Sequence, residues 1–236
     1  MGLPKLDAPS YELTIPSTNK TVTYRPYLVK EEKILMLAME SNDDRQMIRA
    51  IKEVISACTN NEVDTGHITM FDMDYIFTQL RSKSVGETVQ VSMKCEECDT
   101  SNEVAIDLND VRVKSNEEVS DTIELTDTVG VKMKYPSVNS VLDSRTDQNT
   151  NNVEKIFGLL LECIDSIYSG EEIFDASSQS RQELTEFVES LNAEQFARVR
   201  KFVENIPATV LDVSFNCTNC GHQNNTELRG LANFFG

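Results

Sequence analysis

Apolar residues along this chain recur first at every second position, then at three-and-four spacing, and then again at every second position. Tyr11-Glu12-Leu13-Thr14-Ile15 alternates, Pro16-Ser17-Thr18-Asn19 supplies turn residues, and Thr21-Val22-Thr23-Tyr24-Arg25-Pro26 alternates again, which predicts a β-hairpin. Residues 30–39, rich in Glu, Lys, Leu and Met, predict a helix, and Ser41-Asn42-Asp43-Asp44 breaks it and can cap the next. In that next helix Met47, Ile48, Ile51, Val54, Ile55 and Cys58 form a single apolar stripe, so Cys58 is expected to be buried. A third helix is predicted over 69–82, with Met73, Ile76, Phe77 and Leu80 inward and Gly86 ending it.

From Glu87 the period returns to two. Val89, Val91 and Met93 alternate with polar residues, as do Val104, Ile106 and Leu108, predicting a second hairpin, and strands are predicted at 122–125 and 129–135. Residues 144–152 carry no apolar side chain and read as a linker or exposed loop. Helices are expected from 153 to 206. The first has Val153, Ile156, Phe157, Leu160, Ile164 and Ile167 on one face, with Cys163 beside them. The capping boxes Ser180-x-x-Glu183 and Asn192-x-x-Gln195 open the other two. Pro207 stops the last, and 209–215 returns to strand period.

The candidate chemistry sits at the ends of two such alternating runs. Val91-Ser92-Met93-Lys94-Cys95-Glu96-Glu97-Cys98 and Val213-Ser214-Phe215-Asn216-Cys217-Thr218-Asn219-Cys220 share one pattern at an offset of 122 positions, Cys95 to Cys217. The same offset pairs Asn102 with Asn224 and Ile106 with Leu228. Two matching Cys-x-x-Cys knuckles supply the four thiolates of one tetrahedral Zn²⁺, a set that leaves no open position and therefore reads as structural. Cys95, Cys98, Cys217 and Cys220 are the expected ligands of one zinc ion. A redox pair is the rival reading. It needs its first cysteine at a helix N-terminus, whereas Asp99-Thr100-Ser101-Asn102 and Gly221-His222-Gln223-Asn224 favour turns and strands. Glu96 and Glu97 would also raise a nearby thiol pKa rather than lower it. The long separation of the knuckles departs from compact zinc ribbons, and an inserted segment accounts for it.

The expected class is therefore α+β. An N-terminal hairpin and helical region occupies residues 1–86, a β-rich, zinc-ribbon-like platform is made of 87–143 with 207–236, and a helical bundle is inserted over 144–206. Thirty-nine acidic against 22 basic residues give a formal charge of −17, a field that repels nucleic acid and anionic membranes. No apolar run approaches the roughly 18 residues needed to span a bilayer. Met1-Gly2-Leu3-Pro4 lacks a signal-peptide core, and nothing polybasic follows to support a lipid anchor. Six cysteines in such a chain point to a reducing compartment, where paired cysteines more often hold metal than form disulfides. With two histidines, His67 in a polar segment and His222 beside the second knuckle, neither a Ser-His-Asp nor a Cys-His set is assembled, and there is no Gly-rich phosphate loop. No catalytic residue, small-molecule substrate or enzymatic activity is expected.

Arg25-Pro26-Tyr27-Leu28-Val29-Lys30-Glu31-Glu32-Lys33-Ile34-Leu35 resembles the opening of the baseplate hub proteins of T-even-type tailed bacteriophages. Ile51-Lys52-Glu53-Val54-Ile55-Ser56-Ala57-Cys58 is similar to the same family. So is Phe71-Asp72-Met73-Asp74-Tyr75-Ile76-Phe77-Thr78-Gln79-Leu80-Arg81-Ser82-Lys83-Ser84-Val85-Gly86-Glu87. The resemblance implies a non-catalytic phage structural or assembly protein, made in the host cytoplasm, that binds other hub and tail proteins as the virion baseplate is built. Arg81 and Lys83, basic residues on an acidic chain, are candidate partner contacts, although the helix dipole alone favours cations there. Phe234 and Phe235 near the C-terminus are candidate anchors, either packed back or docked on a partner. The alternative function is a zinc-ribbon module acting on nucleic acid or on the host transcription machinery. It calls for Lys and Arg around the knuckles, where Lys94 alone stands against Glu96, Glu97 and Asp99. A thiol–disulfide enzyme is the third possibility.

Overall fold

The first alternating segment forms the expected hairpin: β1 (Tyr11–Thr14) pairs antiparallel with β2 (Thr21–Tyr24), with Leu13, Ile15, Val22 and Tyr24 buried. The structure, a computed structural model, describes residues 7–116, 119–144 and 152–230. It divides into two compact units, Met1–Lys114 with Ala208–Gly236, and Ser115–Pro207.

In the first unit the hairpin is followed by α1 (Val29–Glu40), α2 (Asp44–Cys58) and α3 (Met70–Ser84). The Asp43 carboxylate caps α2 by accepting from the Arg45 and Gln46 N–H groups, and Thr69 caps α3 by accepting from Asp72 N–H. Ala50, Ile51, Val54, Ile55 and Cys58 line the buried stripe of α2, and Met73, Ile76, Phe77 and Leu80 that of α3, as their spacing predicts. Glu31 is a buried carboxylate on α1. Arg25 neutralises it at 2.9 Å, and the second carboxylate oxygen accepts from Leu28 N–H, so this buried charge is both paired and hydrogen-bonded.

Two further hairpins complete the unit. β3 (Thr88–Lys94) pairs antiparallel with β4 (Ser101–Asp107). After a short 3-10 turn and β5 (Arg112–Lys114), the chain leaves for the second unit. On its return, the strand Ala208–Asn216 pairs with Gln223–Arg229 on one side and with β5 on the other. Lys114 lies directly opposite Ala208 in that sheet, so departure and re-entry are hydrogen-bonded neighbours. The ion pairs Arg112–Asp212 and Lys114–Glu227, at 2.6 and 2.7 Å, tie the strands across the outer face. Val91, Met93, Val104, Ile106, Leu108, Val111, Leu211 and Val213 bury one shared apolar cluster, to which both hairpins contribute.

The second unit contains β6 (Thr122–Glu124), β7 (Val129–Met133), α4 (Val138–Ser144), α5 (Asn152–Glu162), β8 (Ile164–Ser169), β9 (Glu172–Asp175), α6 (Arg181–Glu189) and α7 (Ala193–Glu204). With these strands counted, the two strands of the first unit's C-terminal hairpin are β10 (Ala208–Asn216) and β11 (Gln223–Arg229). β6, β7, β8 and β9 form one antiparallel sheet in that order. Ile123, Val131, Met133 and Ile167 from the sheet meet Leu160, Leu184, Val188, Val199 and Phe202 from the helices in a continuous core. Ser180 with Glu183 and Asn192 with Gln195 form the expected capping boxes of α6 and α7.

Three expectations differ from this architecture. The strands over 122–135 pair with β8, not with the knuckle hairpins, so the inserted unit starts at Ser115 and carries a sheet as well as helices. Residues 1–86 and the knuckle hairpins belong to one unit. The helical face drawn through Ile164 and Ile167 ends at Glu162, and both isoleucines lie on β8. A register shift sets Lys132 opposite Ser166 but Met133 opposite Ile164, and the extra residue brings Ile164 and Ile167 inward at a spacing of three. A β-bulge thereby imitates helical periodicity. Of the polar stretch 144–152, only the ends are described, Ser144 closing α4 and Asn152 opening α5.

Candidate metal centre

Both Cys-x-x-Cys sequences occupy the tight turns of hairpins, the first joining β3 to β4 and the second joining β10 to β11. The two hairpins share one register. Each pair from Thr88↔Asp107 to Lys94↔Ser101 recurs 122 positions later, from Val210↔Arg229 to Asn216↔Gln223. The turns repeat in equal detail. Cys95 N–H donates to Thr100 O and Cys217 N–H to His222 O, at 2.9 and 2.8 Å, and Asp99 N–H and Gly221 N–H return to Cys95 O and Cys217 O. Asp99 and Gly221 both have positive φ, 55° and 72°, which glycine adopts without strain and Asp tolerates. The sequence repeat is therefore a structural repeat.

The hairpin tips face one another and bring the four sulfurs together. All four Sγ atoms lie within 4.8 Å of one another. Two close approaches cross between knuckles, Cys95 to Cys220 at 3.7 Å and Cys98 to Cys217 at 3.6 Å. A tetrahedron with sulfur about 2.3 Å from its centre has edges of about 3.8 Å, so these two edges match a Zn–S4 site and the others lie within 4.8 Å. The first cysteine of each pair is buried, Cys98 is half-buried and Cys220 is exposed.

The protonation of the cluster fits the same chemistry. The Thr100 hydroxyl and backbone N–H, followed by Asn219 and Cys220, hold the Cys98 thiol down at about 6. The Cys220 N–H leads the groups that lower Cys217. At Cys220 the His222 N–H pulls downward but is outweighed by Cys98, burial, Cys217 and Cys95, which push the thiol up to about 12. Cys98 and Cys217 therefore lose their protons more readily than Cys220. A divalent cation bound there would supply the charge that lets all four ionise.

Buried asparagines complete the centre. Asn102 accepts from Thr218 N–H of the opposite knuckle at 2.9 Å, and Asn224 accepts from Glu96 N–H at 3.0 Å. The sequence shows these two asparagines as a matched pair, and the signal was their shared offset. Their role is visible only once the hairpins face each other. His222 contributes its backbone carbonyl to the turn, and His67 is exposed and paired with Asp64 at 2.8 Å. Lys94, Glu96, Glu97 and Asp99 all point to solvent around the first knuckle.

The other expected contacts fare differently. Lys83, half-buried, makes an ion pair with Glu87 and sits 5.9 Å from the Tyr11 ring centroid, so it is engaged within its own unit. Arg81 is half-buried on α3, one turn from the helix end. Phe234 and Phe235 lie outside the described residues. Among the described residues no helix is long and apolar enough to cross a membrane. On α1, Val29, Met36 and Met39 are 79%, 58% and 65% exposed, although the opposite face of the same helix is buried.

Residues 8–236 match the protein family described as T4 bacteriophage base plate protein. The chain is also similar to the baseplate hub assembly protein gp26 of Enterobacteria phage T4. The two are 22% identical over 226 residues, which cover 95% of this chain and 97% of that protein. No solved structure matches the chain.

Proposed function

Because the chain belongs to the family of T4 bacteriophage base plate proteins, we propose that it is a non-catalytic subunit of the baseplate hub that binds other tail proteins during assembly. The observation that carries this reading is the end-to-end similarity to a hub assembly protein, which spans both units of the fold. Its place of action is the host cytoplasm as the tail is built, and then the virion baseplate. One zinc ion held by Cys95, Cys98, Cys217 and Cys220 stabilises the zinc-ribbon-like platform, and the four-sulfur geometry supports this part. Zinc here neutralises thiolates and closes the fold. It offers no open position for chemistry.

The exposed Val29, Met36 and Met39 face of α1 supports a docking role, since methionine adapts to a partner's shape. Arg81, Phe234 and Phe235 are the further contacts we propose, with Lys83 contributing through its stem. The acidic rim of the first knuckle gives the nucleic-acid alternative no support. One preparation tests both halves of the proposal. Protein co-expressed with the other hub subunits and purified without chelator should carry one zinc per chain and co-purify with a named baseplate protein. Zinc-free protein with four free thiols and unchanged melting rejects the metal, and isolation of the chain alone rejects the hub role.

A further inference from the structure

Asn102 and Asn224 are 3% and 1% exposed, and every polar atom of their amides is used. The Asn102 Oδ1 accepts from both the N–H and the hydroxyl of Thr218, each at 2.9 Å. Its Nδ2 donates to Thr100 O of its own turn at 2.8 Å and points at Cys217 Sγ, 3.7 Å away on the other knuckle. Asn224 repeats this in the opposite direction. Its Oδ1 accepts from Glu96 N–H, and its Nδ2 donates to His222 O at 3.1 Å and points at Cys95 Sγ at 3.6 Å. The amide orientation is fixed by its partners. A backbone N–H can only donate and a carbonyl can only accept, so a flipped amide would oppose like to like at both.

We propose that Asn102 and Asn224 are exchanged positioning residues, each clamping the opposite knuckle and donating an N–H to that knuckle's inner sulfur, Cys217 and Cys95. The role presupposes the four-sulfur metal site proposed above. A thiolate that accepts an N–H bond carries less charge toward the metal, and a knuckle tied through its backbone presents its sulfurs at fixed separation. The two amides occupy equivalent places and both reach an inner sulfur, Asn102 holding one bond more, from the Thr218 hydroxyl. Asparagine is required in both places, because aspartate has the same shape and keeps the acceptor. It also turns a carboxylate oxygen toward a carbonyl and a sulfur and removes the donor.

Two measurements on the full chain test the proposal. In wild-type protein loaded with 113Cd, the Nδ2 protons of Asn102 and Asn224 should show scalar coupling to the metal through the sulfur, a signal that packing alone does not produce. Asn102→Asp and Asn224→Asp should each weaken zinc binding about 10–100-fold in chelator competition. Each should also move the sulfur-to-metal charge-transfer band of the Co²⁺-loaded protein to lower energy, by similar amounts. Absent coupling at both side chains, or variants with wild-type affinity and an unmoved band, overturns the role of the asparagines and leaves the metal site standing. Wild-type protein that takes up neither zinc, cadmium nor cobalt overturns the metal site itself. A variant that fails to fold leaves the cadmium coupling as the deciding measurement.

Discussion

The unit Ser115–Pro207 is one uninterrupted stretch of chain around an apolar centre, in which Leu160 and Cys163 are fully buried and Val131 and Val199 nearly so. The other unit joins Met1–Lys114 to Ala208–Gly236, and its two knuckles meet through cysteines 119 positions apart. A contiguous unit gathers its core from near neighbours in sequence. Bringing chain ends together across a loop of that length costs about 4 kcal/mol beyond a constant term, by the logarithmic scaling of loop closure. The knuckle hairpins share a smaller apolar cluster, and a polar centre stands above it. A structural zinc site contributes about 10–16 kcal/mol in small peptide hosts, enough to exceed that closure term. The difference teaches where each is vulnerable: the contiguous unit through its packing, the knuckle hairpins, on the proposed zinc site, through their sulfurs.

The largest effect should come from removing the proposed zinc. Chelation, or Cys95→Ser, is expected to unfold the knuckle hairpins while Ser115–Pro207 stays folded. Hydrogen exchange would then show lost protection over 88–107 and 208–229 and retained protection over 164–204. Simultaneous collapse of both units would break the comparison. The reverse experiment is smaller. Leu160→Ala should cost the second unit about 2–5 kcal/mol through the cavity it leaves, with zinc content unchanged. Loss of zinc from that variant would show that the units do not stand apart.

The smallest effect concerns acid. The Ser180 hydroxyl and N–H hold the Glu183 carboxyl below its ordinary value. A depressed carboxyl stabilises above its unfolded pKa, and that stability is lost as pH falls through the folded value. The second unit should therefore melt slightly earlier as pH drops below about 4, and Glu183→Gln should reduce that slope, leaving the part due to Asp175, which Ser177 holds low. In the first unit, protons would compete with the proposed zinc for four thiolates, so its acid sensitivity should be steeper and should vanish in chelator-treated protein. Thermal melts across the pH range, read separately for each unit, decide the matter.

How much of this was legible in the sequence follows from the same contrast. The knuckles could be read because a repeated phrase at constant offset survives any amount of intervening chain, and the α2 and α3 stripes because their period is uninterrupted. The second unit's sheet was hidden by the bulge that gave Ile164 and Ile167 helical spacing. β9 was hidden by its exposure, since a strand with no buried position shows no alternation. Asn102 and Asn224 were visible as a pair but mute as to role, since their partners lie on the opposite hairpin. The grouping of β6 and β7 with β8 is a long-range pairing that no local pattern encodes.

The distance between Cys98 and Cys217 also has a meaning in time. A ribosome adding about 5–20 residues per second needs roughly 6–24 s to pass from one to the other. Throughout that interval the first knuckle holds two thiols without their partners, while the intervening unit is completed. The contiguous unit Ser115–Pro207 is therefore synthesised whole before the first knuckle can meet the second. The nascent chain gains a complete sulfur cage only when the hairpin of β10 and β11 emerges, which makes the closing of the cage a report that translation has passed Cys220.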